Sequence, residues 1–242
     1  MMPQRPRRIF GPLFLMCRLI WRITHKRQPV LGMENVGELP AVFIGRHQDA
    51  YGPVEIMAWV PLDLRVWTLY KFMSIRECYR HYVRYTYTVR KGFGPVSARV
   101  RAAIAAPFVS AFMNSMGGIP VYRGCRNIAD TFRESVKALN LGESILIMPE
   151  RDYTDESKDA GELYGGFVHI AQAYFRSSGK ALRFYPIYPN KQNGRIYMEK
   201  PIVFNPLKPF QAEKSRILEA LKKELSRSAI EADFPVPLST FK

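Results

Sequence analysis

Short apolar runs that end in charged clusters recur along this chain. Ala41-Val42-Phe43-Ile44-Gly45 runs straight into Arg46, His47 and, one residue on, Asp49, with a Gly52-Pro53 pair just beyond. Gly118-Ile119-Pro120-Val121-Tyr122 closes on Arg123, and Ser144-Ile145-Leu146-Ile147-Met148-Pro149 closes on Glu150-Arg151-Asp152. Such runs read as buried strands, and strand ends that carry charge gather on one edge of a mostly parallel sheet.

The segments between them have helical character. Pro53 to Val60 is apolar enough for a short buried helix, and Arg65 to Tyr70 reads as a further strand. Ser74 to Lys91 is rich in tyrosine and arginine, with Arg76, Arg80 and Arg84 at i, i+4 helical spacing. Ala98 to Met116 reads as a helix of small and apolar residues that Pro107 should kink or divide. Asn127 can cap a helix from Ile128 to about Leu139, ended by Asn140 and Gly142. Asp155 to Glu162 reads as a loop over the charged edge. Leu163 to Ala173 is helical again, with His169 among apolar neighbours and so packed or hydrogen-bonded. Leu182 to Pro189 is a strand that turns at Asn193-Gly194 into a hairpin partner over Arg195 to Phe204. Ile217, Leu218, Leu221 and Leu225 mark one face of a closing amphipathic helix, Pro209 to Ala232. The predicted fold class is α/β, a mostly parallel central sheet flanked by helices. No Gly/Ser-rich or Pro-rich linker divides it, so residues 31–242 are expected to form one domain.

Residues 1–30 stand apart as an N-terminal apolar and basic helix. The run from Ile9 to Cys17 is far shorter than the roughly 20 residues that span a bilayer, and no small-residue cleavage site follows it. The segment is therefore expected to stay in the mature chain. With Pro12 in the first turn, Arg18, Arg22, His25 and Lys26 share one stripe, leaving Leu13, Phe14, Leu15, Met16, Leu19, Ile20 and Trp21 elsewhere. Such a helix can lie in a membrane interface with its cations among lipid phosphates, or dock on the protein's own core.

Charge narrows the partners. The chain has 36 Lys and Arg against 21 Asp and Glu, a net charge of +15, which calls for a nucleic acid, an anionic membrane surface or a phosphorylated substrate. Neither paired Cys/His ligands nor an aromatic RNA-binding strand accompanies the basic stripe of Ser74 to Lys91, so a membrane-facing patch or a solvated helix face is preferred to a nucleic-acid surface. Arg123 and Arg126 precede a helix N-terminus, where a phosphate would be held, although a pair of surface arginines beside a cap fits equally well. Cys17, Cys78 and Cys125 are scattered, which fits reduced thiols in a cytosolic setting and offers no metal site.

Four stretches taken together resemble the glycerophospholipid acyltransferase superfamily, typified by 1-acylglycerol-3-phosphate acyltransferase. Arg46-His47-Gln48-Asp49-Ala50-Tyr51-Gly52-Pro53 is similar to that family's Asn-His-x-x-x-x-Asp-Pro, and Gly118 to Arg123 to its Gly-x-x-x-x-Arg. Met148-Pro149-Glu150-Arg151-Asp152-Tyr153-Thr154 resembles Phe-Pro-Glu-Gly-Thr-Arg-Ser, and Tyr185 to Pro189 resembles a Val-Pro-x-x-Pro strand. Order and spacing agree from about Gly37 to Pro206. Departures are equally specific: Gly52 stands where the family has aspartate, Arg151 where it has glycine, and Tyr153 where it has arginine.

The resemblance implies transfer of an acyl group from a thioester, acyl-CoA or acyl carrier protein, to the hydroxyl of a lysophospholipid or similar phosphate-bearing lipid. No bound cofactor is implied. His47 would be the general base and Asp49, or an acid from elsewhere such as Asp152, would orient it. Backbone N–H groups near the motif would hold the oxyanion. Gly118, Arg123, Glu150 and Arg151 would bind substrate. The implied location is peripheral, on the cytoplasmic face of a membrane, with anionic lipids as partners. Because Gly52 removes the usual acid, a lipid-binding relative without catalysis is the alternative.

Overall fold

In chain order the elements are α1 (Pro12–Thr24), β1 (Val30–Leu31), β2 (Val42–Gly45), α2 (Tyr51–Trp59), β3 (Leu64–Leu69), α3 (Ile75–His81), a π-wound segment (Tyr82–Arg90), α4 (Pro95–Ser115), β4 (Ile119–Val121), α5 (Ile128–Asn140), β5 (Ser144–Ile147), α6 (His169–Ser178), β6 (Arg183–Asn190), β7 (Arg195–Met198), β8 (Ile202–Val203) and α7 (Phe210–Glu231). They come from a computed structural model that describes residues 9–122, 127–150 and 162–231, with side chains to residue 226. The fold is mixed α/β with mostly parallel strands, as the alternation of apolar runs and helical segments predicts. The chain divides into two compact units, Met1–Trp21 with Arg65–Glu134, and Arg22–Leu64 with Ser135–Lys242.

The second unit is built on β2. All four of its residues are buried because it runs between β5 and β6, parallel to both. A strand enclosed in this way has no solvent side, so its sequence is continuously apolar rather than alternating. The strand β6 is antiparallel to β7 across the Asn193-Gly194 turn, as expected for a hairpin, and also to β8, while β7 pairs β1 in parallel. Helix α7 covers β6 and buries Ile217, Leu221 and Leu225 completely, the face that the i, i+4 pattern predicts.

The first unit pairs β3 with β4 in parallel, Trp67 opposite Ile119 and Leu69 opposite Val121. Helix α4 packs on α3 and on the π-wound segment, and α1 docks at the far end of α4. There Gly11 N–H donates to Ser115 O, Phe14 N–H to Ser115 Oγ, and the Phe14 ring lies 5.8 Å from that of Phe112.

Three local expectations change. Helix α1 ends at Thr24, so His25 and Lys26 lie beyond its basic stripe, and Arg22 Nε donates to Ala58 O at 2.6 Å. After His81 the chain winds in π fashion, with backbone bonds reaching five residues back, as from Lys91 N–H to Thr86 O at 3.1 Å. Arg84 therefore belongs to the π-wound segment while Arg76 and Arg80 lie on α3, and Arg80 forms an exposed ion pair with Glu77. Helix α4 continues through Pro107: one lost hydrogen bond does not break a helix that is buried at Ala102 and Ala106 before the proline and at Ser110 after it.

Candidate functional site

Parallel register determines which residues meet at the end of β2. Ile44 lies opposite Ile147 of β5, so the residues just past both strands emerge side by side. They are Arg46 and His47 on one strand and Glu150 on the other, although 104 positions separate Arg46 from Glu150 in the chain. Arg46 Nε donates to Glu150 Oε1 at 2.9 Å, with the two side chains only 1% and 6% exposed. The second carboxylate oxygen, Oε2, accepts the backbone N–H of His47. Removing a charge pair from water is expensive, and partners for both carboxylate oxygens offset that cost. Glu150 therefore fixes the strand end from which the half-buried His47 side chain projects.

The next residues turn sharply. Gln48 and Asp49 have φ of 46° and 61°, the left-handed region that costs a non-glycine residue roughly 1–3 kcal/mol. The turn is closed by Gly52 N–H donating to His47 O at 3.0 Å and Tyr51 N–H to Gln48 O at 3.3 Å. Asp49 is exposed on it and Gln48 is buried, with Gln48 Oε1 lacking a hydrogen-bond partner among the described residues. Tyr51 ties the start of α2 to the end of β6: its hydroxyl donates to Asn190 O at 3.3 Å and accepts from Gln28 Nε2 at 2.9 Å. Burial raises the pKa of that phenol, so it remains a neutral donor.

Gly52 has a physical reason of its own. A Cβ there would lie 1.8 Å from the carbonyl oxygen of Arg46 and 3.0 Å from that of His47. Backbone touches backbone at this point, so no side chain fits, aspartate included. The tight turn also engages donors at the start of α2. Tyr51, Gly52 and Val54 N–H all bond to carbonyls of residues 47–50, and Pro53 has none to offer. Oxyanion donors, expected near the motif, are not supplied by these groups.

Of the remaining expected site residues, Gly118 is described and Arg123 and Arg151 are not. Gly118 belongs to the other unit, where its N–H donates to Met113 O and a Cβ would lie 3.0 Å from Thr68 Oγ1, a close approach of strand to helix. Arg123, Arg151, Arg126, Asp152 and most of the Asp155 to Glu162 loop lie outside the described residues. His169 is packed as predicted, its ring 4.6 Å from that of Phe210, and burial, helped by Lys214, lowers its pKa. Burial also pushes the Cys78 thiol up to about 11, which leaves it protonated and unreactive. Among the described residues no three His, Cys, Asp or Glu side chains are grouped as a metal site needs.

Pattern reading missed Arg46, Gln48, Tyr51 and Gln28. One signal was present for Arg46: a cation placed directly after a wholly apolar strand needs a buried counter-charge. Gln28 carried none, because its role comes from a contact with Tyr51, 23 residues away.

No protein-family model matches the chain, and no curated protein sequence does. Its structure is similar to the crystal structure of the 1-acyl-sn-glycerophosphate (LPA) acyltransferase PlsC from Thermotoga maritima, with a TM-score of 0.54. The match has 13% sequence identity and covers 92% of this chain and 78% of that one. At that identity the likeness establishes the fold.

Proposed function

We propose that the protein is an acyltransferase that moves an acyl chain from a thioester to the hydroxyl of a lysophospholipid or a similar phosphate-bearing lipid. The observation that carries this is the placement of His47: a histidine at the carboxyl end of the central parallel strand, anchored through its backbone by a buried carboxylate. Open α/β sheets bind their ligands at that edge. The acyltransferase-like fold and the four resembling stretches supply the reaction class.

In this reading the His47 imidazole takes the acceptor's hydroxyl proton as the oxygen attacks the thioester carbonyl. The tetrahedral oxyanion then collapses, the C–S bond breaks, and the departing sulfur receives the proton from the imidazolium. Asp49, on the same turn, is the proposed acid that orients the ring. Gln48 Oε1 is a buried acceptor that a substrate hydroxyl would satisfy. Arg123 and Arg151 are proposed to hold the acceptor's phosphate, where guanidinium forks suit the geometry. The donor is acyl-CoA or acyl carrier protein, and the enzyme works peripherally at the cytoplasmic face of a membrane rich in anionic lipid.

A second reading, a lipid-binding relative without catalysis, is favoured by Gly52, which has no room for an acid, and by the engaged donors of α2. Thiol release from acyl-CoA and acyl carrier protein, screened over lysophospholipid acceptors, separates the two. Turnover that falls about 10²–10⁴-fold in His47→Ala supports the base. Absence of turnover on every pair, with vesicle binding unchanged by His47→Ala, establishes the second reading instead.

A further inference from the structure

Helix α4 is inside out for a helix in water. Its protein-facing stripe is small, Ala98, Ala102 and Ala106 fully buried with Ser110 next to them, whereas the opposite stripe is large and apolar. Val96 and Ile104 are each 74% exposed, Val100 56% and Phe108 54%, all at i, i+4 spacing on one face. Small residues inside and large apolar ones outside is the pattern of a helix whose outer solvent is hydrocarbon. By length and composition α4 could cross a membrane. One of its faces is packed on α3 and the π-wound segment, however, which leaves the other to lie along a surface.

Charge indicates what that surface is. The first turn of α4 has no acidic residue, although a helix N-terminus carries partial positive charge and favours anions. Arg99 and Arg101 sit in the opening turns, flanking the apolar stripe, and Arg90 and Lys91 immediately precede the helix. The Arg101 guanidinium carbon lies over the Phe93 ring, 4.5 Å from its centroid. Cations gathered beside an apolar stripe repel one another, and a layer of phosphates relieves that repulsion. At the other end of α4, docked α1 exposes Leu15, Met16, Leu19 and Ile20. A protein partner would have to match an apolar stripe and a cation cluster together, which the acyl boundary and headgroups of an anionic bilayer do as a matter of course.

We infer that the outer face of α4, continued by α1, is the surface on which this protein sits on an anionic bilayer, with Val96, Val100, Ile104 and Phe108 in the acyl boundary and Arg99 and Arg101 at the headgroups. The inference rests on the lipid-handling reading for the identity of the surface, and its test reads binding rather than turnover.

The full chain is sedimented with vesicles of phosphatidylcholine alone or with phosphatidylglycerol added. Wild type should pellet with the anionic vesicles at least tenfold more tightly than with neutral ones. Val100→Asp with Ile104→Asp should weaken that binding at least tenfold, while Leu207→Asp, at an exposed apolar residue in the other unit, should not. Thermal melts should agree to within about 2 °C, since the substituted side chains are exposed. Arg99→Gln with Arg101→Gln should narrow the preference for anionic over neutral vesicles. Equal binding by the Val100/Ile104 variant and wild type would falsify the inference. So would wild type that is dimeric without vesicles and becomes monomeric in that variant, because the face would then belong to a second copy. If the inference fails, thiol release can still occur on a short-chain acceptor in solution; if catalysis is absent, vesicle binding still reports on the face.

Discussion

At the end of β2 two charged side chains are buried against each other, and along α4 four large apolar side chains stand in the open. Each region departs from the expectation that charge is outside and hydrocarbon inside. The departures differ in what stabilises them. Arg46 and Glu150 are paired within the fold, and both carboxylate oxygens are engaged, by Arg46 Nε and by the His47 N–H. The α4 face is left exposed by the described residues, and that exposure is the ground on which a bilayer is proposed for it. A buried charge pair anchored inside the fold holds a site in place, and an exposed apolar stripe is free to meet a surface.

Substitutions can break this contrast, and the corner should respond most. Glu150→Ala leaves Arg46 buried without its carboxylate and is expected to cost about 3–5 kcal/mol in urea unfolding. The pair Arg46→Met with Glu150→Leu should recover most of that stability, since hydrophobic replacements of buried ion pairs are often neutral, yet show no thiol release because His47 loses its anchor. A loss under about 1 kcal/mol for Glu150→Ala would mean the pair behaves like a surface one, and the contrast would collapse.

Gly52→Asp comes next. Its Cβ must displace the Arg46 carbonyl, so destabilisation towards the upper end of about 1–3 kcal/mol is expected, with no gain in turnover. Faster thiol release in that variant would show that the turn can open and that the acid is merely missing.

On α4 the two faces should answer differently. Ala102→Leu overpacks the buried stripe and should cost about 1–3 kcal/mol, whereas Ile104→Ser two positions on should stay within about 0.5 kcal/mol. Comparable losses at both positions would mean that the outer face is covered in solution.

The smallest expected effect is on pH dependence. A hydrogen bond from Arg216 holds the Glu213 carboxyl below its ordinary 4.5, and burial, then Lys214, holds His169 below 6.5. In both cases the unfolded chain binds more protons, so stability rises with pH. It should decline as pH falls below about 6.5, where His169 charges in the unfolded chain, and again below about 4.5. Urea midpoints across that range should show both steps in wild type and in Gly52→Asp alike, since neither group belongs to the corner. Loss of a step in Gly52→Asp would show that the corner titrates with them.

Much of the architecture was legible in the sequence because apolar runs of strand length admit few alternatives. The strand at β2, its hairpin β6 to β7 and the buried face of α7 all follow from spacing and turn residues alone. His47 was also visible, as a titratable group at the end of a buried strand. Gly52 was visible only as a missing acid, and its actual role, a backbone contact with Arg46, leaves no trace in a pattern of side chains.

What the sequence determined by itself is therefore local: which residues share a face, where strands begin and end, and that charge collects just past them. Tertiary structure decided the rest. It paired Arg46 with Glu150 across 104 residues, wound the chain tightly enough at Gln48 and Asp49 to exclude a side chain at position 52, and turned the large stripe of α4 outward instead of the small one. Periodicity sorts residues onto faces, but which face is buried depends on what the rest of the chain brings against it, and that is a property of contacts distant in sequence.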